Sequence, residues 1–170
     1  MVILGVDPGI AITGYGIVRY VGSSFRPLGF GCIRTEAKEH EADRLRTIHE
    51  RLHELVEAYS PQAVAVEKLF FNRNVQSALS VGQARGVALL AAAHHRVPVY
   101  EYTPSAVKMG VTGQGRAPKS QVAYMVKVLL ALDEAPTPDD VSDALAVALC
   151  HAFHGQTQQR QQQAMEGGAQ

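Results

Sequence analysis

Apolar residues recur along the chain with two different periods, which divide it into strand-like and helix-like segments. Residues 1–7 are apolar almost throughout, as is typical of a strand in the middle of a sheet. Residues 13–21 and 24–34 are β-like runs separated by a Gly-Ser-Ser turn, so the first three strands are predicted to form an antiparallel meander. Residues 63–67 and 97–102 are predicted to be two further strands.

Helices are predicted where the apolar period changes to about 3.6 residues. The clearest has Leu45, Ile48, Leu52 and Leu55 on one face, and Thr103-Pro104 is a helix-start signal after the fifth strand. The predicted helices are residues 39–59, 75–95, 119–132 and a last one from about 139 to 154, with a glycine-rich loop at 110–116. The order βββαβαβαα predicts an α/β fold, in which a mixed five-stranded sheet is flanked by helices.

Length and composition favour one globular domain. The chain has 170 residues, of which 46% are hydrophobic and 19% charged, enough for a single core over residues 1–154. Residues 155–170 are rich in Gln without apolar periodicity, so we expect a disordered tail. The chain has neither a secretory signal pattern nor an apolar run of membrane-spanning length, which predicts a cytoplasmic protein without membrane contact.

Charge is segregated along the chain although the net charge is zero. Residues 68–127 contain eight basic residues and one acidic residue, whereas residues 36–57 contain seven acidic and four basic ones. From residue 128 to the end there are six acidic residues and one basic residue. A chain with this distribution can present one basic face, which is the pattern expected of a nucleic-acid-binding protein.

Four carboxylates are the candidate chemical groups. Asp7 and Glu67 each end an apolar strand, although Asp7 also suits a local Asp-Pro-Gly turn. Asp140 and Asp143 share a face of the last helix, where Asp140 also fits the role of a capping acid after Thr137. Asp143 lies among apolar residues without a Lys or Arg on the same helix, so it requires a distant cation or a metal ion.

Carboxylates that converge repel one another unless divalent cations lie between them. A ligand set made only of oxygen atoms favours Mg²⁺ or Mn²⁺ over zinc. Two such ions about 4 Å apart can activate a water molecule and stabilise the leaving oxygen in phosphodiester cleavage. The four acids and the basic middle of the chain therefore predict a nuclease.

Basic and aromatic residues are the candidate DNA contacts. Phe70 and Phe71, between Lys68 and Arg73, can stack on unpaired bases while the cations hold phosphates, although a hydrophobic staple under the next helix is the structural alternative for one of them. Three more cations flank the glycine-rich loop and suit a phosphate backbone, namely Lys108, Arg116 and Lys119.

Five stretches occur in an order and at a spacing that are characteristic of one family. They are Val6-Asp7-Pro8-Gly9 with Thr13-Gly14-Tyr15-Gly16, Val64-Ala65-Val66-Glu67, ALSVGQARGV at residues 78–87, Lys119-Ser120-Gln121-Val122, and Asp140-Val141-Ser142-Asp143-Ala144-Leu145-Ala146. Over residues 1–154 the chain resembles the RuvC family of Holliday junction resolvases. The resemblance implies a ribonuclease H-like fold and a homodimer that nicks four-way DNA junctions in symmetric pairs during recombination and repair. It also implies 5′-phosphate and 3′-hydroxyl ends and work alongside a branch-migration motor.

The resemblance assigns roles to individual residues. It makes Phe70 a junction-contacting aromatic and Lys108 and Lys119 DNA-binding lysines. By position, the metal-binding catalytic carboxylates are Asp7, Glu67, Asp140 and Asp143.

Other functions fit the sequence less well. His49-Glu50-Arg51-Leu52-His53 matches the zinc-protease motif H-E-x-x-H, but both histidines lie at the flank of the helix and no third ligand follows at the expected spacing. Residues 110–117 lack the Lys and Ser/Thr of a P-loop, and the chain is too short for a two-lobed sugar kinase. Two alternatives stay open: an RNase H-like nuclease acting on another branched or hybrid substrate, and a junction-binding protein without catalysis.

Overall fold

The protein is described here from a computed structural model, which covers residues 1–68 and 75–167. Five strands form one mixed sheet. They are β1 (Val2–Asp7), β2 (Ile12–Val21), β3 (Ser24–Arg34), β4 (Ala63–Glu67) and β5 (Val99–Tyr102). All five predicted strands are confirmed, and β3 and β4 have the predicted bounds.

Five helices cover the sheet in the described part of the chain. They are α1 (Glu41–Tyr59), α2 (Val75–His94), α3 (Pro104–Thr112), α4 (Lys119–Leu129) and α5 (Asp139–Gly167). The predicted order omitted α3, which occupies the first part of the expected 110–116 loop and ends at Gly113 in a left-handed C-cap. The last helix was predicted to end near His154, whereas α5 runs to Gly167.

The sheet order β3-β2-β1-β4-β5 places β1 in the centre. β1 and β3 pair antiparallel with β2, whereas β4 pairs parallel with β1 and β5 pairs parallel with β4. The ends of β1, β4 and β5 therefore meet at one edge, which we call the carboxyl edge of the sheet. In α/β folds this edge is where ligand chemistry is usually found.

Two apolar layers cover the two faces of the sheet. α1 and α2 pack on one face, on residues such as Leu4, Val6 and Val64. α3, α4 and α5 pack on the other, and α5 is apolar nearly all round because it lies between the sheet and the other two helices. No helix in the described ranges is long and apolar enough to cross a membrane.

Candidate active site

Asp7 and Glu67 lie side by side at the carboxyl edge of the sheet. β1 and β4 are parallel neighbours, and Val6 is paired with Val66, so the next residue of each strand is an acid at the same level. Side chains alternate along a strand, and Ala65, two residues before Glu67, belongs to the apolar layer under α5. Asp7 and Glu67 therefore point to the α5 side of the sheet.

Glycines on β1 and β2 let α5 approach this edge closely. A Cβ atom on Gly14, the residue opposite Asp7, would come within 1.9 Å of the backbone oxygen of Asp140. A Cβ atom on Gly5 would come within 2.1 Å of the backbone oxygen of Ala144. Only glycine permits these contacts, and the contact at Gly14 holds the first turn of α5 against the end of β1. This close contact brings Asp140 and Asp143 near Asp7.

The four acids Asp7, Glu67, Asp140 and Asp143 form what we call the carboxylate centre. Burial, together with the negative charges of Glu67, Asp143 and Asp140, raises the pKa of Asp7 to about 8. Burial and the charge of Asp143 also raise the pKa of Glu67, and the charges of Lys119 and Lys108, followed by a hydrogen bond with Asp7, oppose that rise. At neutral pH the centre without cations thus retains a proton, as expected of acids held together by the fold.

Asp140 has two functions in the structure. It lies in the first turn of α5, where a negative charge is favoured by the helix dipole, as the capping alternative anticipated. Its charge also contributes to the raised pKa of Asp7. The two interpretations are compatible, because the first turn of α5 is the part of the helix that touches the end of β1.

Lys119 supplies the distant cation that Asp143 was expected to require. Its Nζ atom lies 2.9 Å from Oδ2 of Asp143, and the Asp143 side chain is 22% exposed against 66% for Lys119. The hydrogen bond to Asp143 raises the pKa of Lys119, so the amine stays charged. Lys119, which was predicted only as a DNA contact, is therefore also a partner of the carboxylate centre.

The pocket beside the carboxylate centre is open to solvent and has a volume of about 230 Å³. Lys108, on α3, lines it together with Lys119, Glu67 and Asp143. The positive charge of Lys108 lowers the pKa of Glu67, which offsets part of the rise caused by burial. The pocket thus combines carboxylate oxygens with two amines, one set suited to divalent cations and the other to phosphate oxygens.

The other predicted DNA contacts are placed as follows. Lys68 is exposed directly after β4, and its backbone N–H donates to the carbonyl of Tyr102 at 2.7 Å. Arg116 is exposed in the short turn between α3 and α4. The predictions for Phe70, Phe71 and Arg73 fall outside the described residues.

Thr13 is a residue of the site that the sequence reasoning did not single out. It is fully buried, and its hydroxyl donates to the carbonyl of Gly9 at 2.7 Å. This bond ties the turn after Asp7 to β2, which agrees with the turn interpretation of Asp-Pro-Gly. The only available signal was its place beside Gly14 in the quoted motif, because a lone Thr in a strand is otherwise unremarkable.

A family model described as crossover junction endodeoxyribonuclease RuvC matches residues 3–151. The chain belongs to the RuvC family. A RuvC protein of Alkaliphilus metalliredigens is 56% identical over 158 residues, which cover 93% of this chain and 96% of the relative. The family predicted from the motifs is therefore confirmed, and with it the assignment to the crossover junction endodeoxyribonucleases.

Solved RuvC structures share the fold. Thermus thermophilus RuvC superposes with a TM-score of 0.87 at 42% identity, over 92% of this chain and 96% of that one. The same protein in complex with a Holliday junction substrate gives a TM-score of 0.86 at 40% identity, with the same coverage of both chains. The ribonuclease H-like mixed sheet is thus confirmed. RuvC nucleases depend on metal ions, which agrees with a pocket whose acidic side chains offer carboxylate oxygens as ligands.

Proposed function

We propose that this RuvC chain resolves four-way DNA junctions by paired, symmetric nicks, and that Asp7, Glu67, Asp140 and Asp143 are its catalytic and metal-binding residues. The convergence of the acids carries the proposal, because Asp7 and Glu67 end neighbouring parallel strands and the first turn of α5 lies against the end of β1. Four acids held together at the carboxyl edge of the sheet are unfavourable alone and become favourable when divalent cations neutralise them. The ligand atoms are hard oxygens, which fit Mg²⁺ or Mn²⁺.

The residues of the pocket divide the chemistry between them. Two divalent ions bound there would activate the attacking water and stabilise the leaving oxygen of the phosphodiester. Asp7, whose pKa responds to the other three acids, would hold these ions together with Glu67 and Asp143, and Asp140 would complete the ligand set or orient the water. Lys119 and Lys108 attract the scissile phosphate into the pocket. The products carry 5′-phosphate and 3′-hydroxyl ends, which can be ligated.

Substrate selection is proposed to rest on the basic residues around the pocket. Phosphates are held by the basic residues Lys68, Arg73, Lys108, Arg116 and Lys119. Two aromatic residues beyond Lys68 stack on unpaired bases at the junction. The two aromatic residues are Phe70 and Phe71. These contacts favour a branched substrate over a linear duplex, because a duplex offers phosphates but no exposed base faces.

The wider context is proposed from the resemblance and the substrate. Two symmetric cuts require two catalytic centres, so the active form is a homodimer. It works in the cytoplasm with a branch-migration motor of the same pathway. Residues 1–154 constitute the single nuclease domain.

Cleavage of an end-labelled four-way junction tests the function. The comparison substrates are a linear duplex and an RNA–DNA hybrid of equal length, each with Mg²⁺, Mn²⁺ or EDTA. The enzymes are the wild type, Asp7→Asn and a control, Asp133→Asn, which changes an exposed acid outside the pocket. We expect paired nicks only in the junction, and only from the wild type and the control, while Asp7→Asn still binds the junction.

Three results would contradict the proposal. Tight junction binding without cuts under either metal would identify a binding protein that lacks catalysis. Equal cleavage of the hybrid or of the linear duplex would keep the nuclease and remove the junction specificity. Loss of cleavage in Asp133→Asn would show that the carboxylate centre is not the relevant set of acids.

A further inference from the structure

Four histidines meet where the end of α2 crosses α1. His49 and His53 are one turn apart on α1, and their rings lie 6.1 Å apart. His94 packs edge-on against His49 at 5.3 Å, and the ring of His95 lies 4.4 Å from that of His53. We call these four residues the histidine cluster. They come from two elements that are separated by about 40 residues in the sequence, so no local pattern reveals the cluster.

Glu57 joins the cluster one turn after His53. Its Oε1 atom lies 3.4 Å from Nε2 of His53, and Nδ1 of His53 lies 2.8 Å from Nε2 of His95. His53, Glu57 and His95 each offer a ligand atom within 4.8 Å of the other two. Among the described residues, these three have ligand atoms that close together, whereas no three acids of the carboxylate centre do.

We propose that His53, Glu57 and His95 bind a divalent transition-metal ion of the Zn²⁺ class. Bonds of about 2.0–2.2 Å to imidazole nitrogen and carboxylate oxygen, arranged tetrahedrally, place neighbouring ligand atoms about 3.4 Å apart. The His53–Glu57 separation already has this value. His95 now hydrogen-bonds the other ring nitrogen of His53, Nδ1, at 2.8 Å, so the ion would replace that hydrogen bond, and a water molecule would complete the tetrahedron.

The chemistry of the ligands separates this site from the carboxylate centre. Two imidazoles and one carboxylate favour Zn²⁺, Ni²⁺ or Cu²⁺, whereas oxygen atoms alone favour Mg²⁺ or Mn²⁺. The positions differ as well, because α1 leads into the start of β4 and α2 into the start of β5. The histidine cluster therefore lies at the edge of the sheet opposite the carboxyl edge.

The site is not the one that the H-E-x-x-H motif describes. Leu52 of that motif is buried in the core, and Glu50, which would be the general base, is exposed and pairs with Arg46. The proposed ligand set contains His53 from the motif, Glu57 from the next turn of α1 and His95 from the end of α2. The Nε2 atom of His49 is buried without a hydrogen-bond partner among the described residues, so it offers a further nitrogen next to the site.

The expected role of the ion is to fasten α1 to the end of α2. It would bind the folded arrangement and not the unfolded chain, because residues 53 and 95 come together only on folding. Binding of this kind stabilises the native state by mass action. The ion is not required for cleavage, since its ligands lie away from the pocket.

Zn²⁺ binding to the untagged full chain in excess Mg²⁺, followed by isothermal calorimetry, tests the site. Excess Mg²⁺ keeps the carboxylate centre occupied by its own class of ion. We expect one Zn²⁺ per chain and a higher unfolding temperature with Zn²⁺. His53→Gln, His95→Gln and Glu57→Gln should each weaken binding by at least about tenfold, the size of effect that loss even of a ligand's supporting partner produces. Co²⁺ should give the visible absorption of a four-coordinate ion in the wild type and not in the three ligand variants.

Matched controls separate the site from general effects. Glu54→Gln changes an exposed acid on the same helix, which pairs with Arg51, and His154→Gln changes an exposed histidine on α5. Both should bind Zn²⁺ as the wild type does, and so should Asp7→Asn. The exposed Glu57 keeps the test valid if a histidine variant folds poorly. Zn²⁺ affinity unchanged in the three ligand variants, or no Zn²⁺ uptake by the wild type in excess Mg²⁺, would overturn the proposal.

Discussion

Replacing Asp7 by Asn should stabilise the metal-free protein at neutral and alkaline pH while it abolishes cleavage. The wild-type side chain is a buried acid surrounded by three others, which raises its pKa from 3.8 to about 8. The folded state therefore holds a proton there that the unfolded state releases at a much lower pH. As the pH rises from about 4 to about 8, that difference costs the folded wild type stability, because proton binding favours the folded form. Asn stays neutral throughout and is free of this penalty.

The size of the stability difference between Asp7→Asn and the wild type follows from the shift in the pKa of Asp7. At about 1.4 kcal/mol for each pH unit, a change from 3.8 to about 8 corresponds to about 6 kcal/mol above pH 8. This is an upper limit, because side-chain movement and water reduce the cost of a buried charge. We expect the stability advantage of Asp7→Asn over the wild type to grow by at least about 2 kcal/mol between about pH 5 and about pH 9.

Urea unfolding in EDTA over that pH range measures the difference. The exposed-acid variant Asp133→Asn is the control, and its stability relative to the wild type should not change with pH. Saturating Mg²⁺ should then stabilise the wild type and leave Asp7→Asn unaffected, since only the wild type has the full set of acids. A stability difference between Asp7→Asn and the wild type that stays constant with pH would refute the electrostatic account of the carboxylate centre.

Four further substitutions are informative, three in the site and one in α2 as a control. Gly14→Ala should cost about 1–3 kcal/mol in unfolding free energy and reduce cleavage strongly, because the new Cβ overlaps the backbone of Asp140. Gly86→Ala, whose Cβ meets open space in α2, should instead stabilise the chain by about 0.5–1 kcal/mol. Lys119→Met should tighten Mg²⁺ binding in calorimetry, because Asp143 loses its positively charged partner. It should also weaken junction binding and reduce the slope of the logarithm of the binding constant against that of the salt concentration by about one. A weaker Mg²⁺ affinity would contradict the role of Lys119 as the counter-charge of Asp143. Thr13→Val should lose about 1–3 kcal/mol in unfolding free energy and slow the cleavage step in single-turnover kinetics, because a buried carbonyl loses its donor; unchanged unfolding and cleavage would show that the turn holds without it.

The strands and the carboxyl edge could be predicted from the sequence because their signals are local. The apolar runs of β1 and β4 each end in an acid, and parallel neighbours bring such ends together whatever the rest of the chain does. Asp143 could be predicted to need a partner because it lies in an apolar stretch of helix.

The features that the sequence did not reveal depend on contacts between distant segments. The Lys119–Asp143 pair joins α4 to α5, and nothing in either helix indicates the other. The same holds for the histidine cluster, in which each helix supplies an unremarkable pair. The start of α3 at Thr103-Pro104 was predicted, but the helix was left out of the predicted order because Gly110 was interpreted as part of a loop. A Cβ there would lie 3.2 Å from Sγ of Cys150, so in the structure this glycine lets α3 pack closely on α5, and tertiary packing outweighs its low helix propensity.

The metal dependence of the family has a structural cause in the packing of α5. Gly5 and Gly14 remove the side chains that would separate the helix from the sheet, so the first turn of α5 is pressed against the end of β1. The apolar length of α5 behind that turn is buried on all sides, which opposes any retreat of the helix from the edge. The acids cannot move apart to relieve their repulsion, and Lys119 neutralises only Asp143 directly. Protonation or cation binding is then the remaining way to lower the energy of the centre, and at neutral pH a divalent cation does so without removing the ligand charges that catalysis needs.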